Sequence, residues 1–501
     1  MSISLNNLKR RDFLKGSTAS ATLALAPSLV RAAENQPERM KPNILVVVCD
    51  QMVLDAVSAY KQHFTDPAYL CHWSHTPNLD KLVKGGVSFT LSHSQNPVCC
   101  PARSCMFTGR YSIETGVIHN NIGIDREVLN LGQWLEAHSD YERVYCGKWH
   151  AGGPWNNPTV DGPRKIPGFD TIPSGPDIWG RDMDYGVSSG VEAYLRNYRG
   201  DKPFLAVAGF MDPHDICFWS PQLNSGQVRG NNLFKLMDQY PVLPPNKKYD
   251  FDEIWKGSIN YSDMQWQNYI YDYCRMIERL DCNVGRLLQA VRDRNDDTII
   301  IFTSDHGDGL ARHGRVSKWH PYEESVKVPL IVYAPKFGVR SNVIDSEHLV
   351  SGADITPTIC DYAGIKPPPN CRGRSLRPLL EGHATDWHDS LFIELREVGR
   401  VIRSQRYKFV MSYKPAPLKP KRAIEQAYIS KASGKPVEFL PGEGFKLERQ
   451  EQTMLFDMVN DPWEHNNLSS ESKYRDIIAQ HEQMLASYEQ DIIPGHSFTR
   501  K

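Results

Sequence analysis

The 501-residue chain lacks any excess of one charge: 58 lysines and arginines stand against 59 acids, a formal net charge of −1. A nucleic-acid binder carries a basic excess or stripe. Neither is present, so no nucleic-acid partner is expected. The Lys/Arg-rich patch from Lys414 to Arg422 is interrupted by three prolines and reads as a solvated loop. Long hydrophobic runs are also missing beyond residue 30: none approaches the roughly 20 residues that cross a bilayer, so no membrane span is expected in the mature chain. The cysteines lack metal-finger spacing. Cys99, Cys100 and Cys105 form no Cys-x-x-Cys pair and no histidine pair follows, which excludes a structural zinc site there. No internal repeat is found.

What is present is a composition of 40% hydrophobic and 23% charged residues, that of a globular chain with a large core and room for a second, smaller domain. The first residues carry an address. Lys9-Arg10-Arg11-Asp12-Phe13-Leu14-Lys15 precedes a small and apolar run over 16–30 and then Arg31-Ala32-Ala33. That pattern resembles a twin-arginine export signal occupying residues 1–33, with cleavage near Ala32 or Ala33, and implies a periplasmic or secreted bacterial protein. Eleven cysteines are an odd number for an oxidising compartment, which leaves at least one unpaired or chemically altered. The twin-arginine route carries folded proteins, so a modification that needs an unfolded chain would have to occur in the cytoplasm.

Residues 41–50 form a near-continuous β-branched run ending in Asp50, as a buried parallel strand would. Residues 204–210 and 298–303 repeat the pattern, the last just before Asp305. Helical periodicity lies between them at 76–84 and 269–294. Strands alternating with helices predict an α/β fold, a large mixed and mostly parallel sheet flanked by helices, with ligands at the carboxyl ends of the strands. From about residue 386 the texture changes to short alternating segments: 390–394 and 400–412 read as an antiparallel hairpin, followed by a Pro/Lys/Gly-rich stretch at 414–450 and a terminal helix around 474–490. The expected division is a catalytic domain over 41–385 and a smaller C-terminal α+β subdomain with an antiparallel sheet over 386–501.

Two strand ends deliver similar groups, Asp50-Gln51 and Asp305-His306, and the cysteine loop lies between them in sequence. Carboxylates, an amide oxygen and an imidazole nitrogen suit a hard divalent cation. Taken singly, each aspartate could instead be an N-cap at a strand-to-helix turn. Within the loop, Cys99-Cys100-Pro101-Ala102-Arg103 is followed by Thr108-Gly109-Arg110. Further short motifs are Thr76-Pro77-Asn78-Leu79-Asp80, Gly147-Lys148-Trp149-His150, Asp212-Pro213-His214, Lys318 before Tyr322-Glu323, and Asp461-Pro462-Trp463-Glu464.

In that order these motifs resemble the type I sulfatases of the alkaline-phosphatase superfamily, over most of 41–385 and on to the chain end. The family's signature is Cys-x-Pro-Ser/Ala-Arg, whose first cysteine becomes formylglycine. Only Cys99 has proline two residues on and arginine four on. The resemblance therefore implies that Cys99 is matured to 3-oxoalanine by a formylglycine-generating enzyme. It implies one divalent cation held by Asp50, Gln51, Cys99, Asp305 and His306, with Ca²⁺ the first choice and Mn²⁺ or Mg²⁺ the alternatives. Arg103, Lys148 and Lys318 would neutralise the remaining charge of a sulfate ester, while His150 acts as base and His214 as acid toward the leaving alcohol. The aldehyde hydrate offers one hydroxyl to attack sulfur and a second to expel sulfate afterwards. The substrate implied is a small-molecule or oligosaccharide sulfate ester. Gln51 departs from the two adjacent acids of many sulfatases, which leaves open a phosphate or phosphonate ester hydrolase on the same fold. A silent binder of sulfated glycans is the non-enzymatic alternative. Candidate pocket walls are Trp155, Asp215, Trp219 and the 414–450 stretch. His63, His72, His75, His313 and His320 are given no role.

Overall fold

The first strand, β1 (Asn43–Asp50), is buried along nearly its whole length because its β-branched run meets a helical layer on each side. Leu45, Val47 and Cys49 pack with Met183, Val187 and Val191 of the helix Gly180–Asn197 and with Ile270, Tyr273 and Ile277 of the helix Asp263–Arg294. The alternate residues Ile44, Val46 and Val48 face Met106 and Phe107 of the helix Cys99–Thr108 and Ile355 and Ile359 of the helix Ile355–Tyr362. Each such aliphatic side chain contributes about 1.5–3 kcal/mol on burial. The computed structural model describes residues 41–120, 122–151, 166–174, 179–219, 239–248, 259–295, 297–383, 386–395, 399–414 and 448–492. The export segment 1–33 and Trp155 lie outside them, as does most of the 414–450 stretch.

The other strands in chain order are β2 (Val87–Phe89), β3 (Ser92–His93), β4 (Glu142–Gly147), β5 (Asp170–Ile172), β6 (Phe204–Pro213), β7 (Thr298–Ser304), β8 (Leu330–Tyr333), β9 (Val343–Asp345), β10 (Val350–Ser351), β11 (Ser390–Leu395), β12 (Gly399–Ser404), β13 (Tyr407–Lys414) and β14 (Glu448–Asp457). The main sheet runs β5-β4-β6-β1-β7-β8-β2-β9. Only β8 is antiparallel to its neighbours, so this is the large, mixed, mostly parallel sheet expected. Strand β6 reaches Pro213, three residues beyond the expected end, and so carries Asp212 and Pro213 up to His214. The helix expected from residue 269 starts at Asp263 instead. Its polar first turn hides the apolar period, and a capping box fixes the start: Gln265 N donates to Ser262 Oγ and Ser262 N donates to Gln265 Oε1.

A second sheet of four antiparallel strands, β11-β12-β13-β14, follows. The expected hairpin is three strands. The stretch 400–412 folds back at Gln405 and Arg406, where Tyr407 N donates to Ser404 Oγ. One face of this sheet packs Ile393, Val401, Val410 and Phe456 against Tyr322 and Val326 of the segment leading into β8. The other holds Phe392, Ile402 and Phe409 against Leu485 of the terminal helix Arg475–Ile492.

Candidate active site

Four adjacent parallel strands, β4, β6, β1 and β7, end on the same side and each delivers polar groups there, as open α/β sheets do at their carboxyl edge. Strand β1 ends in Asp50, β7 is followed by Asp305 and His306, β4 by Lys148 and His150, and β6 by His214. Gly147 allows the close approach: its φ is 96°, and a Cβ there would lie 2.1 Å from the Gly209 carbonyl oxygen. Cys99 opens the helix Cys99–Thr108, where no side chain of the preceding residue caps the end. The N–H of Cys100 is instead taken by Asn120 Oδ1 at 3.0 Å. Lys318 arrives from the loop after β7. The expected catalytic and ligand positions are therefore brought to one edge of the sheet.

Cys99 Sγ lies 3.2 Å from His306 Nε2, 3.1 Å from Lys318 Nζ and 3.8 Å from Asp50 Oδ1. His150 and His214 also face this sulfur, which favours the protonated form of each. Lys148 Nζ is 2.5 Å from Asp50 Oδ2. Arg103 donates Nε–H to Asp305 Oδ2 at 2.8 Å and Nη1–H to the Lys148 carbonyl at 2.8 Å. Burial opposes ionisation of the Cys99 thiol, yet Lys148, Lys318 and His306 outweigh it and hold the thiol well below its ordinary value. Asp305 is pushed up to about 6 by burial and by the charge of Asp50. His214 is lowered to about 4 by burial and then by Lys318 and Lys148.

The donor set fits a divalent cation. Ligand atoms of Asp50, Cys99, Asp305 and His306 all lie within 4.8 Å of one another, and all four residues are buried. His306 Nδ1 donates to the Gly307 carbonyl at 3.0 Å, which leaves Nε2 facing the two carboxylates as a ligand nitrogen. Gln51 joins them. Its Nε2 donates to Asp308 at 2.7 Å, an acceptor-only partner that fixes the amide orientation and turns Oε1 to Lys318 Nζ, also at 2.7 Å.

A family model described as Sulfatase matches residues 42–365. The chain belongs to the sulfatase family. Members of this family are sulfuric ester hydrolases on the alkaline-phosphatase-like fold. The chain is 28% identical over 506 residues to a Delta 4,5-hexuronate-2-O-sulfatase of Bacteroides thetaiotaomicron, covering 93% of this chain and 91% of that one. Among solved structures, a 2-O GAG sulfatase superposes with a TM-score of 0.69 at 25% identity, over 90% of this chain and 93% of the other. A phosphonate monoester hydrolase of Agrobacterium radiobacter shares the fold, with a TM-score of 0.68 at 20% identity over 90% and 96% of the two chains.

In this sulfatase the layer behind Gln51 was not visible in the sequence. Asp308 is buried beneath Gln51 and also accepts from Tyr269 Oη at 3.0 Å, and Cys217 Sγ lies 3.1 Å from Gln51 Oε1. Asp308 stands three residues after Asp305 in Asp305-His306-Gly307-Asp308, the one local signal available. Two proposed pocket walls are engaged elsewhere. Asp215 accepts from Gly180 N and Arg181 N at a helix start, and Trp219 donates Nε1–H to Asp272 and packs on Tyr261 and Tyr269. His313 pairs with Glu324 at 2.9 Å and stacks on Tyr322, which explains it structurally.

Proposed function

We propose that this sulfatase hydrolyses a sulfate ester of a saccharide through a formylglycine made from Cys99. The observation that carries the reading is Cys99 itself: alone among the cysteines it heads the Cys-x-Pro-x-Arg register and faces Asp50, Asp305, His306, Lys148 and Lys318. The saccharide is suggested by what the hexuronate sulfatase relative acts on. Cys99 is 1% exposed, so a maturing enzyme would have to reach it before folding. That order agrees with an N-terminal segment, residues 1–33, acting as a twin-arginine signal for export to the periplasm or beyond. Residues 41–385 would then form the catalytic domain and 386–501 a subdomain.

Asp50, Gln51, residue 99, Asp305 and His306 would hold the divalent cation, Ca²⁺ by preference, which would supply positive charge to a sulfate oxygen and to the hydroxyl at residue 99. Lys148 and Lys318 neutralise the other sulfate oxygens, and Arg103 keeps Asp305 and the Lys148 backbone in place. His150 takes the proton from the spare hydroxyl of residue 99 during sulfate expulsion. His214 protonates the departing alcohol oxygen. Burial and then Lys318 and Lys148 keep His214 neutral in the free site; a bound anionic ester would offset the two lysines and so favour the protonated form.

Gln51 favours one second reading. An amide in place of a carboxylate removes a negative charge from the ligand set, which suits a phosphonate or phosphate ester as well as a sulfate ester. Sulfate release from hexuronate-2-O-sulfate and N-acetylglucosamine-6-O-sulfate, set against hydrolysis of phenyl phosphonate, separates the two. Preference for phenyl phosphonate by kcat/KM would overturn the sulfatase assignment of substrate.

A further inference from the structure

Two large aromatic side chains stand partly exposed on the segments that carry the site's lysine and its histidine. Trp319 follows Lys318 and is 40% exposed; Phe218 closes the short helix His214–Phe218 and is 49% exposed. Leaving such rings in water forgoes the stabilisation that burying them would give. Yet each is braced. The ring of Phe218 lies edge-on to Trp179 at 4.4 Å and to His214 at 6.0 Å. Trp319 lies 6.4 Å from the ring of His119. His119 immediately precedes Asn120, the residue that takes the Cys100 N–H beside the nucleophile position. The two aromatics thus reach the site from separate parts of the chain, one on the Cys99 side and one on the His214 side.

The backbone supports the same reading. Trp319 has φ 85° and Ser317 has φ 64°, so both neighbours of Lys318 occupy the left-handed region, where a bulky residue is an outlier. Such strain gathers at binding sites whose surroundings over-determine it. Here Asp308 accepts from Ser317 N at 3.0 Å and the Ser317 carbonyl accepts from Gly309 N at 2.6 Å. Trp319 is thereby held partly exposed next to the buried Lys318.

We propose that Trp319 and Phe218 form an aromatic rim that stacks on the apolar C–H faces of a pyranose ring, the ring bearing the sulfate or the one linked to it. The inference rests on the saccharide-sulfate reading and adds where the sugar is held. A pyranose presents flat C–H faces and equatorial hydroxyls, so it gains from an exposed ring with a polar edge nearby, as His119 and Lys318 provide. The anionic sulfate goes to the lysines, and the sugar body is left for the rim.

The test separates binding from turnover by using full-length Cys99→Ala protein in calorimetric titrations. The probes are N-acetylglucosamine 6-O-sulfate, a disaccharide carrying hexuronate-2-O-sulfate, phenyl sulfate, propyl sulfate and inorganic sulfate. The expected result is that at least one saccharide sulfate binds tenfold or more tightly than propyl sulfate. Adding Trp319→Ala or Phe218→Ala should bring that preference to about twofold, Trp319→Phe should keep most of it, and the affinity for inorganic sulfate should not move. No saccharide preference, a preference that survives Trp319→Ala/Phe218→Ala, or one confined to phenyl sulfate would overturn the rim. Failure of the hydrolytic reading shows up separately, as wild-type protein that releases no sulfate from any of these esters whatever the titrations give.

Discussion

At the scale of single residues, Cys99 is governed by its surroundings more than by its own chemistry. Burial would raise its thiol, and the lysines and His306 around it more than reverse that. The same cations would meet any nucleophile at this position, which makes Cys99→Ser informative. The serine keeps one hydroxyl and can attack sulfur, releasing alcohol and leaving a serine sulfate ester; it has no second hydroxyl from which sulfate can be expelled. Stoichiometric alcohol release with a sulfate mass on residue 99 and negligible further turnover is expected by mass spectrometry and burst kinetics. Steady turnover at the wild-type rate would refute the formylglycine reading. His320 gives a different prediction. It is 2% exposed, neither ring nitrogen has a partner among the described residues, and burial lowers it to about 3, with Glu324 opposing and Arg315, His313 and Lys408 facing it. The unfolded chain takes up this proton near pH 6.5 and the folded one only near the lowered value. Stability is therefore lost as pH falls through that window, by up to about 1.4 kcal/mol per pH unit. Urea unfolding of His320→Phe at pH 7.5 and pH 5 should show a shallower loss than wild type, and equal slopes would contradict this.

At the scale of elements, the second sheet is fastened to the segment carrying Lys318 by a buried charge cluster. Lys408 of β13 pairs with Glu464, reaches Glu323 Oε1 at 3.4 Å and donates to the Pro321 carbonyl at 3.0 Å. Glu464 in turn accepts from Glu323 N at 2.8 Å, while His93 and Arg403 close on Glu323 at 3.3 and 3.6 Å. Lys408→Met strands two buried acids, so a loss of roughly 3–5 kcal/mol is expected in urea unfolding. Lys408→Met/Glu464→Gln should recover part of it, because the second change removes an uncompensated charge. This cluster gives the motif Asp461-Pro462-Trp463-Glu464 a structural role that spacing alone did not reveal. Strands β1, β6 and β7 were legible because burial on both faces makes them continuous apolar runs, whereas the short β4 and β5 were not. Asp50 and Asp305 stood out at strand ends, and Cys99, Arg103, Lys148, His150, His214 and Lys318 only through the motifs that resemble the sulfatases. The third strand of the small sheet was not legible, since the turn at Ser404-Gln405-Arg406-Tyr407 contains none of the usual Gly, Pro, Asn or Asp signals. Asp308 and Tyr269 escaped notice for another reason. Asp308 meets Gln51 across 257 residues and Tyr269 acts only through Asp308, contacts that no local pattern encodes.

At the scale of the whole molecule, the proposed cation donors are drawn from β1, from the start of the helix Cys99–Thr108 and from the residues just after β7, separated by up to 256 positions that the unfolded chain cannot hold together. Binding there is consequently linked to the global fold, because a cation bound by the folded state alone stabilises it by about 2.7 kcal/mol at a hundredfold excess over Kd. The linkage gives a test that does not depend on turnover. Chelated protein should melt at a lower temperature than protein supplied with Ca²⁺, and the difference should grow with Ca²⁺ concentration. Asp305→Ala removes one carboxylate and leaves Arg103 without its partner at 2.8 Å. That variant should melt lower even when chelated and should gain little from added Ca²⁺. Lys473, a surface lysine on the far terminal segment beside Glu471, supplies the control: Lys473→Ala should keep the full Ca²⁺ response. A melting temperature of wild-type protein that ignores Ca²⁺, Mn²⁺ and Mg²⁺ alike would show that these donors hold no divalent cation, and that Lys148, Lys318 and Arg103 alone balance the charge of Asp50 and Asp305.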